Sequence, residues 1–263
     1  MPRAASFSLA GRVAFVPGGY GDIGRAVARQ LVHAGAAVAV AGRDPVKAQA
    51  LAGELAAAGH RALGLAMDAK STEQIQLATE RVVSHFGALD LLVNCIGMQR
   101  EQRLAEVTEA AFDEVVQVNL RAAMFLAQAA ARWQIAAVQK GRAPGRQIHV
   151  LSVRAQLGMR DRGYSAYCAT KGGLVLLIRQ HAVELCNHGI TVNGVAPTVV
   201  AGEMGRHWLD DPLVRERLLQ RIPLGRVAEP EDVAGPVQFL CSEAANFITG
   251  QIVYVDGGLT ATQ

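Results

Sequence analysis

Residues 12–35 read RVAFVPGGYGDIGRAVARQLVHAG, and the fold turns on how that stretch divides. Val13–Val16 is a short apolar run closed by proline and glycine, as a buried strand is. From Ile23 to Ala34 the apolar residues return at helical spacing. Between them, Pro17-Gly18-Gly19-Tyr20-Gly21-Asp22-Ile23-Gly24 forms the link. Glycine lets the backbone approach a phosphate closely, and a helix N-terminus offers free N–H groups with a partial positive charge. A glycine cluster alone is common, but between a first strand and a first helix it reads as a seat for a pyrophosphate.

Outward from this unit the alternation continues. Further β-rich apolar runs fall at Ala37–Ala41, Arg61–Met67, Leu89–Asn94, Gln147–Leu151, Thr191–Val195 and Ile252–Val255. Helical segments separate them: Ile23–Ala34, Pro45–Ala58, Thr72–Phe86, Thr108–Val138, Ser165–His188 and Pro230–Leu240. This predicts an α/β fold, a single doubly wound parallel sheet of about seven strands with helices on both faces. The elements use up the chain, so residues 1–263 are expected to form one domain. Lys140 to Arg146 (KGRAPGR) reads as a surface loop. Thr198 to Ile222 shows no clear strand and carries Gly202, Gly205, Trp208 and Pro212. It is expected to be a mobile excursion acting as a substrate lid over 198–222.

Composition narrows the function classes. With 51% hydrophobic residues the chain can bury a core, which argues against disorder. The 26 basic residues against 23 acidic ones divide into 22 arginines and 4 lysines, scattered without interleaved aromatics. That is no nucleic-acid footprint. The longest stretch without Asp, Glu, Lys or Arg, Leu185 to Gly202, is broken by Asn187, His188, Asn193 and Pro197, so it reads as a strand with turns and not as a membrane span. Arg12 interrupts the apolar residues of MPRAASFSLAGRVAFVPGG, leaving no export signal visible. Cys95, Cys168, Cys186 and Cys241 lie far apart with no CxxC pair. Reduced thiols, no metal site and a cytoplasmic location are the expectations.

Two places carry chemistry. The second strand ends in Ala41-Gly42-Arg43-Asp44, where an acidic residue would bind the ribose hydroxyls of NAD. Glycine there, with Arg43 beside it, favours the 2′-phosphate of NADP(H) over NAD(H). The competing reading makes Arg43 a solvated loop residue and Asp44 a helix cap. Further on, Tyr167 and Lys171 lie four apart in GYSAYCATKGGL and share a helix face with Leu174 and Ile178. With 4 tyrosines and 4 lysines in the chain, such a pair arises by chance only about 0.06 times. A lysine on an apolar face needs a partner or a function. A phenol titrating near ~10 must overcome roughly 4 kcal/mol to act as a base near neutrality. A neighbouring ammonium reduces that cost. Such a tyrosine can take a proton from an alcohol as hydride leaves its carbon, or give one to a carbonyl oxygen.

Taken together, these residues resemble the short-chain dehydrogenase/reductase family over essentially the whole chain. The likeness rests on Gly18 to Gly24, Asp68, Asn94-Cys95-Ile96-Gly97, Val118-Asn119-Leu120, Ser152, Tyr167 with Lys171, and the C-terminal run PLGRVAEPEDVAGPVQFLCSEAANFITGQIVYVDGG. The resemblance implies a Rossmann-type sheet binding NAD(P) and a catalytic tetrad of Asn119, Ser152, Tyr167 and Lys171. Tyr167 would be the acid/base, Lys171 would depress its pKa and bind the nicotinamide ribose, Ser152 would hold the substrate oxygen, and Asn119 would anchor a water linking Lys171 to solvent. Gly18, Tyr20, Asp22, Ile23 and Arg43 would contact the cofactor, Asp68 the adenine, Asn94 and Gly97 the adenosine side, and Pro197 to Val200 the nicotinamide side. A homotetramer through the helices carrying Asn119 and Tyr167 and through the last strand is also implied. Ala122, Ala123, Ala127, Ala130 and Ala131 suit either such packing or packing within the chain.

Several positions depart from the family pattern. Pro17 replaces a common threonine, and Asp22 a common glycine, where a carboxylate beside a pyrophosphate is unfavourable unless it points away. Cys95-Ile96 replaces Asn-Ala, and Thr198 a common glycine. Ser152 stands 15 residues before Tyr167, and the family's habitual offset falls near Arg154. The intervening loop carries Arg154, Arg160 and Arg162 with Asp161 between the last two, groups suited to a carboxylate or polyhydroxylated substrate or simply to solvent. The loop and APTVV are similar to gluconate 5-dehydrogenase-like sugar-acid and polyol enzymes. A small-molecule alcohol or ketone substrate is therefore expected, with a 3-oxoacyl-thioester reductase and a non-catalytic NADP-binding regulatory protein as the other readings.

Overall fold

The computed structural model describes residues 6–160 and 162–262. Seven strands form one sheet: β1 (Val13–Pro17), β2 (Ala37–Gly42), β3 (Ala62–Ala66), β4 (Leu91–Asn94), β5 (Arg146–Val150), β6 (Thr191–Pro197) and β7 (Ile252–Val255). Their order is β3-β2-β1-β4-β5-β6-β7, and every neighbouring pair is parallel. The chain winds outward one way from β1 and then returns to start again at β4. The two halves part there, leaving a crevice at the carboxyl ends of the strands.

Side chains alternate across the sheet and meet helices on both faces. Ala14 and Val16 of β1 join one cluster with Val27 and Leu31 of α1 (Asp22–His33), Leu51 of α2 (Pro45–Ala57) and Val233 and Val237 of α9 (Pro230–Cys241). Val13 and Phe15 face the other way, toward Ile75 and Val82 of α3 (Thr72–Phe86) and Leu126 of α5 (Ala122–Gln139). Ala123 joins Leu174 and Ile178 of α6 (Ser165–Leu185) against Val192 of β6. Ala122, Ala123, Ala127 and Ala130 are all buried within the chain.

Local signals explain the element ends. The carboxylate of Asp44 accepts from the N–H groups of Val46 and Lys47 and so caps α2, while Ser71 caps α3 through Gln74 N–H. The single helix expected over Thr108–Val138 is instead α4 (Glu109–Val116), a π-helical turn at Gln117–Arg121, and α5. The expected helix to His188 stops at Leu185, followed by a 3₁₀ turn and by Gly189 at φ +68°. Between Thr198 and Ile222 the only extended pairing among the described residues is a single parallel bridge from Val200 to Ala228, but two helices form, α7 (Arg206–Leu209) and α8 (Pro212–Gln220). The signal for α8 was in the sequence, because Asp211 caps it and Pro212 takes its first turn. No helix among the described residues is long and apolar enough to cross a membrane.

Candidate active site

The crevice holds a cavity of about 710 Å³ lined from the glycine turn, the ends of β2 to β6 and the segment after Pro197. At one end, Gly18 adopts φ +75°, and a Cβ there would lie 2.8 Å from the Cys95 carbonyl carbon. A Cβ on Gly24 would lie 2.1 Å from the Gly18 oxygen. The turn is therefore closed to side chains at both positions, and Gly21 caps α1 without a side-chain acceptor. This cradle at a helix N-terminus fits a dinucleotide pyrophosphate. Beyond it, the Tyr20 ring packs on Gly42, where a Cβ would come within 2.3 Å, and its hydroxyl accepts from Asp44 N–H at 3.0 Å. Exposed Arg43 lines the cavity beside them.

Asp22 turns its carboxylate to the far wall. Its Oδ2 accepts from Glu203 N–H at 2.7 Å, which ties the start of α1 to the segment after β6. Gly202 makes this approach feasible, since its φ is +152° and a Cβ would lie 2.2 Å from that same oxygen. The carboxylate expected to be unfavourable beside a pyrophosphate is thus engaged with a backbone donor.

At the other end of the cavity, α6 supplies Tyr167 and Lys171, both buried. Ser152, where β5 gives way to a loop, hydrogen-bonds the Tyr167 phenol. Its Oγ also accepts from Arg154 N–H at 3.2 Å. Burial pushes the Tyr167 phenol up to about 12, against the opposing pull of the Ser152 hydrogen bond and the Arg154 charge. Lys171 Nζ lies 5.6 Å from the centre of the Tyr167 ring and donates to Val150 O at 2.9 Å. Burial brings Lys171 down to about 8. The expected lowering of the phenol is therefore not the result here: desolvation outweighs every favourable neighbour. Tyr164 stands edge-on to Tyr167 with ring centres 5.9 Å apart, and its hydroxyl accepts from Gln99 Nε2 at 2.7 Å.

A family model described as enoyl-(acyl carrier protein) reductase matches residues 20–260. L-xylulose reductase of Bos taurus is 40% identical over 97% of this chain and 98% of its own.

The chain belongs to the short-chain dehydrogenase/reductase family.

L-rhamnose 1-dehydrogenase (NAD(P)(+)) of Azotobacter vinelandii is 36% identical over 95% of this chain and 97% of its own. Among solved structures, a gluconate 5-dehydrogenase from Burkholderia cenocepacia J2315 in complex with NADP and tartrate superposes with a TM-score of 0.92 at 33% identity, covering 98% of each chain. As a member of this family the protein is an NAD(P)-dependent oxidoreductase that interconverts a secondary alcohol and a ketone.

Within this short-chain dehydrogenase/reductase the cavity brings together Gly18, Tyr20, Asp22, Ile23, Arg43, Asp68, Gly97, Ser152, Tyr167, Lys171, Pro197 and Val200. Two expected positions lie behind its wall. Asn94, expected to line the adenosine side, is buried at the end of β4: its Oδ1 accepts from Ile96 N–H and its amide meets His149 Nδ1, so it shapes the turn that carries Gly97. Asn119 is buried in the π-helical turn. Its Oδ1 accepts from Met98 N–H, while Nδ2 donates to Met98 O and Thr170 Oγ1. Asp68 does not cap α3; its Oδ1 accepts from Lys70 N–H. Tyr164, Gln99, Met98 and Met159 line the site unannounced, because nothing local in the sequence marks them. Asp161 lies outside the described residues.

Proposed function

We propose that this enzyme reduces the keto group of a polyhydroxylated, sugar-like compound, and oxidises the corresponding alcohol, with NADP(H) preferred over NAD(H). The observation that carries the reading is the meeting of Ser152, Tyr167 and Lys171 in one cavity with a pyrophosphate-shaped glycine turn. The sugar class is supported by relatives named for L-xylulose, L-rhamnose and gluconate. The cofactor preference rests on Arg43 beside Gly42, with Asp44 turned to its helix.

Gly18, Ile23 and the start of α1 would hold the pyrophosphate, Arg43 the 2′-phosphate, Asp68 and Gly97 the adenosine half, and Pro197 to Val200 with Lys171 the nicotinamide half. When bound, the nicotinamide would supply or take the hydride. Ser152 fixes the substrate oxygen against Tyr167. A phenol titrating at about 12 stays protonated near neutrality, so Tyr167 is poised to donate to the carbonyl oxygen during reduction. Lys171 then supplies a proton or charge beside the phenoxide as it forms. Asn119 spends its side chain on Met98 and Thr170, so any water it anchors must use its remaining lone pairs. The segment 198–222, tied to Asp22 through Glu203, serves as the substrate lid.

The reading also includes a single domain, a cytoplasmic location and a homotetramer. Nicotinamide absorbance with L-xylulose, L-rhamnose and 5-keto-D-gluconate tests it. Turnover on at least one is expected, faster with NADP(H), and Tyr167→Phe should lose about 10³-fold in kcat. Tight cofactor binding without turnover on any ketone or alcohol would sink the reading.

A further inference from the structure

Arg154 is a buried cation whose place in the site the alcohol–ketone chemistry does not explain. It stands two residues past Ser152, is 8% exposed, and lines the cavity with Ser152 and Tyr167. Around this end the walls are aromatic and apolar: Tyr164, Tyr167, Met159 and Val199, with Leu218 of α8 packed behind. Among the described residues, Arg154 forms no ion pair with a carboxylate. Its Nη1 donates to Gly158 O, which leaves a guanidinium of five donors with much of its capacity unspent. The charge that acts on it near neutrality is Arg221, a second cation, while Cys168, Tyr164 and Tyr167 beside it keep their protons there.

Burying a cation without a counter-ion is costly, and a guanidinium cannot escape the cost by losing its proton near neutrality. A loop that needed only to tie Gly158 could use an uncharged donor. A charge kept in an apolar pocket beside the reacting centre is instead matched to an anion that arrives with the substrate, and the planar fork fits a carboxylate.

We propose that Arg154 binds the carboxylate of a hydroxy or oxo acid whose reacting carbon lies against Ser152 and Tyr167. This inference rests on the alcohol–ketone reading and narrows its substrate to sugar acids and their shorter analogues. Arg154 is then a specificity-determining residue, separate from the proton chemistry of Tyr167.

The test uses acids paired with polyols of matching carbon chain: D-glycerate with glycerol, L-tartrate with L-threitol, and D-gluconate with D-glucitol. For at least one pair the wild-type enzyme should favour the acid in kcat/KM. Arg154→Gln should lose about 100-fold on that acid, mainly through KM, with at least a tenfold smaller loss on the polyol. Arg154→Lys should recover part of the difference, and because each ratio is taken within one variant, reduced stability does not mimic it. Equal losses on acid and polyol would make Arg154 a structural tie to Gly158 and overturn the proposal, as would a wild-type preference for the polyol throughout. Calorimetric titration of the NADP(H)-loaded enzyme with the three acids separates this failure from failure of the enzymatic reading. Binding that Arg154→Gln abolishes sustains the proposal even without turnover, whereas no binding of any of the three acids to the wild type overturns it.

Discussion

Lys171 takes a charge into the interior, with the Val150 carbonyl accepting from its Nζ. In a chain that uses arginine for most of its basic positions, a lysine here suits a compact, flexible ammonium between a phenol and a ribose. Burial sets its folded pKa at about 8, below the ordinary 10.5. Across that window the unfolded chain binds a proton that the folded protein does not, so stability rises with pH. Tyr167, at about 12 against an ordinary 10.0, opposes this only above the ordinary value, where the unfolded chain loses its proton first. Cofactor-stripped wild type should therefore gain about 2 kcal/mol relative to Lys171→Met on going from pH 8 to pH 10. Urea unfolding at the two pH values measures it. Parallel pH profiles for the two proteins would mean that Lys171 is fully charged and compensated in the fold.

The same contrast between a local pattern and a distant partner appears in the elements. The apolar spacing over 108–138 reads as one helix because its period barely changes, yet the chain widens into a π turn at Gln117–Arg121. Such turns cluster at functional sites. Here the turn brings Asn119 to Met98, whose N–H and C=O it meets as another backbone would. Asn119→Ala should cost about 2–3 kcal/mol by leaving those groups unpaired. Chemical denaturation checks this, and a cost below about 0.5 kcal/mol would show that Met98 finds other partners. The odd placement of an asparagine within a helix was legible, but its partner was not. Asp22 gives a second case: its identity stood out against the glycine pattern, whereas its hydrogen bond to Glu203 depends on a segment 181 residues away.

For the whole molecule, the parallel sheet explains why residues far apart in sequence share one cavity. Every strand ends on the same side, so the turn after β1, the loop after β5 and the segment after β6 converge at the β1–β4 crevice. The opposite surface of α6 exposes Leu176 at 65% and Val183 at 69%, seven positions apart and so on one helix face. Trp133 of α5 is 38% exposed. These are the two helices through which the homotetramer is proposed, while Ala122, Ala123, Ala127 and Ala130 of α5 are buried inside the chain and Ala131 is half-buried. Sedimentation equilibrium should find a tetramer, and Leu176→Glu with Val183→Glu should shift it to smaller species. A monomeric wild type at micromolar concentration would refute the assembly.

By itself the sequence determined the α/β alternation, the glycine turn and the Tyr167–Lys171 spacing, because each depends on residues within a few turns of one another. It also singled out Ser152 as the partner of the substrate oxygen, although the family's habitual spacing falls near Arg154. Only the tertiary structure decided that Ser152 meets the phenol, that Asn94 and Asn119 stand behind the wall, and that Arg154 is buried beside Tyr167. Those outcomes depend on which distant segments share a boundary with water excluded, and burial, more than any single neighbour, then sets the protonation of Tyr167 and Lys171.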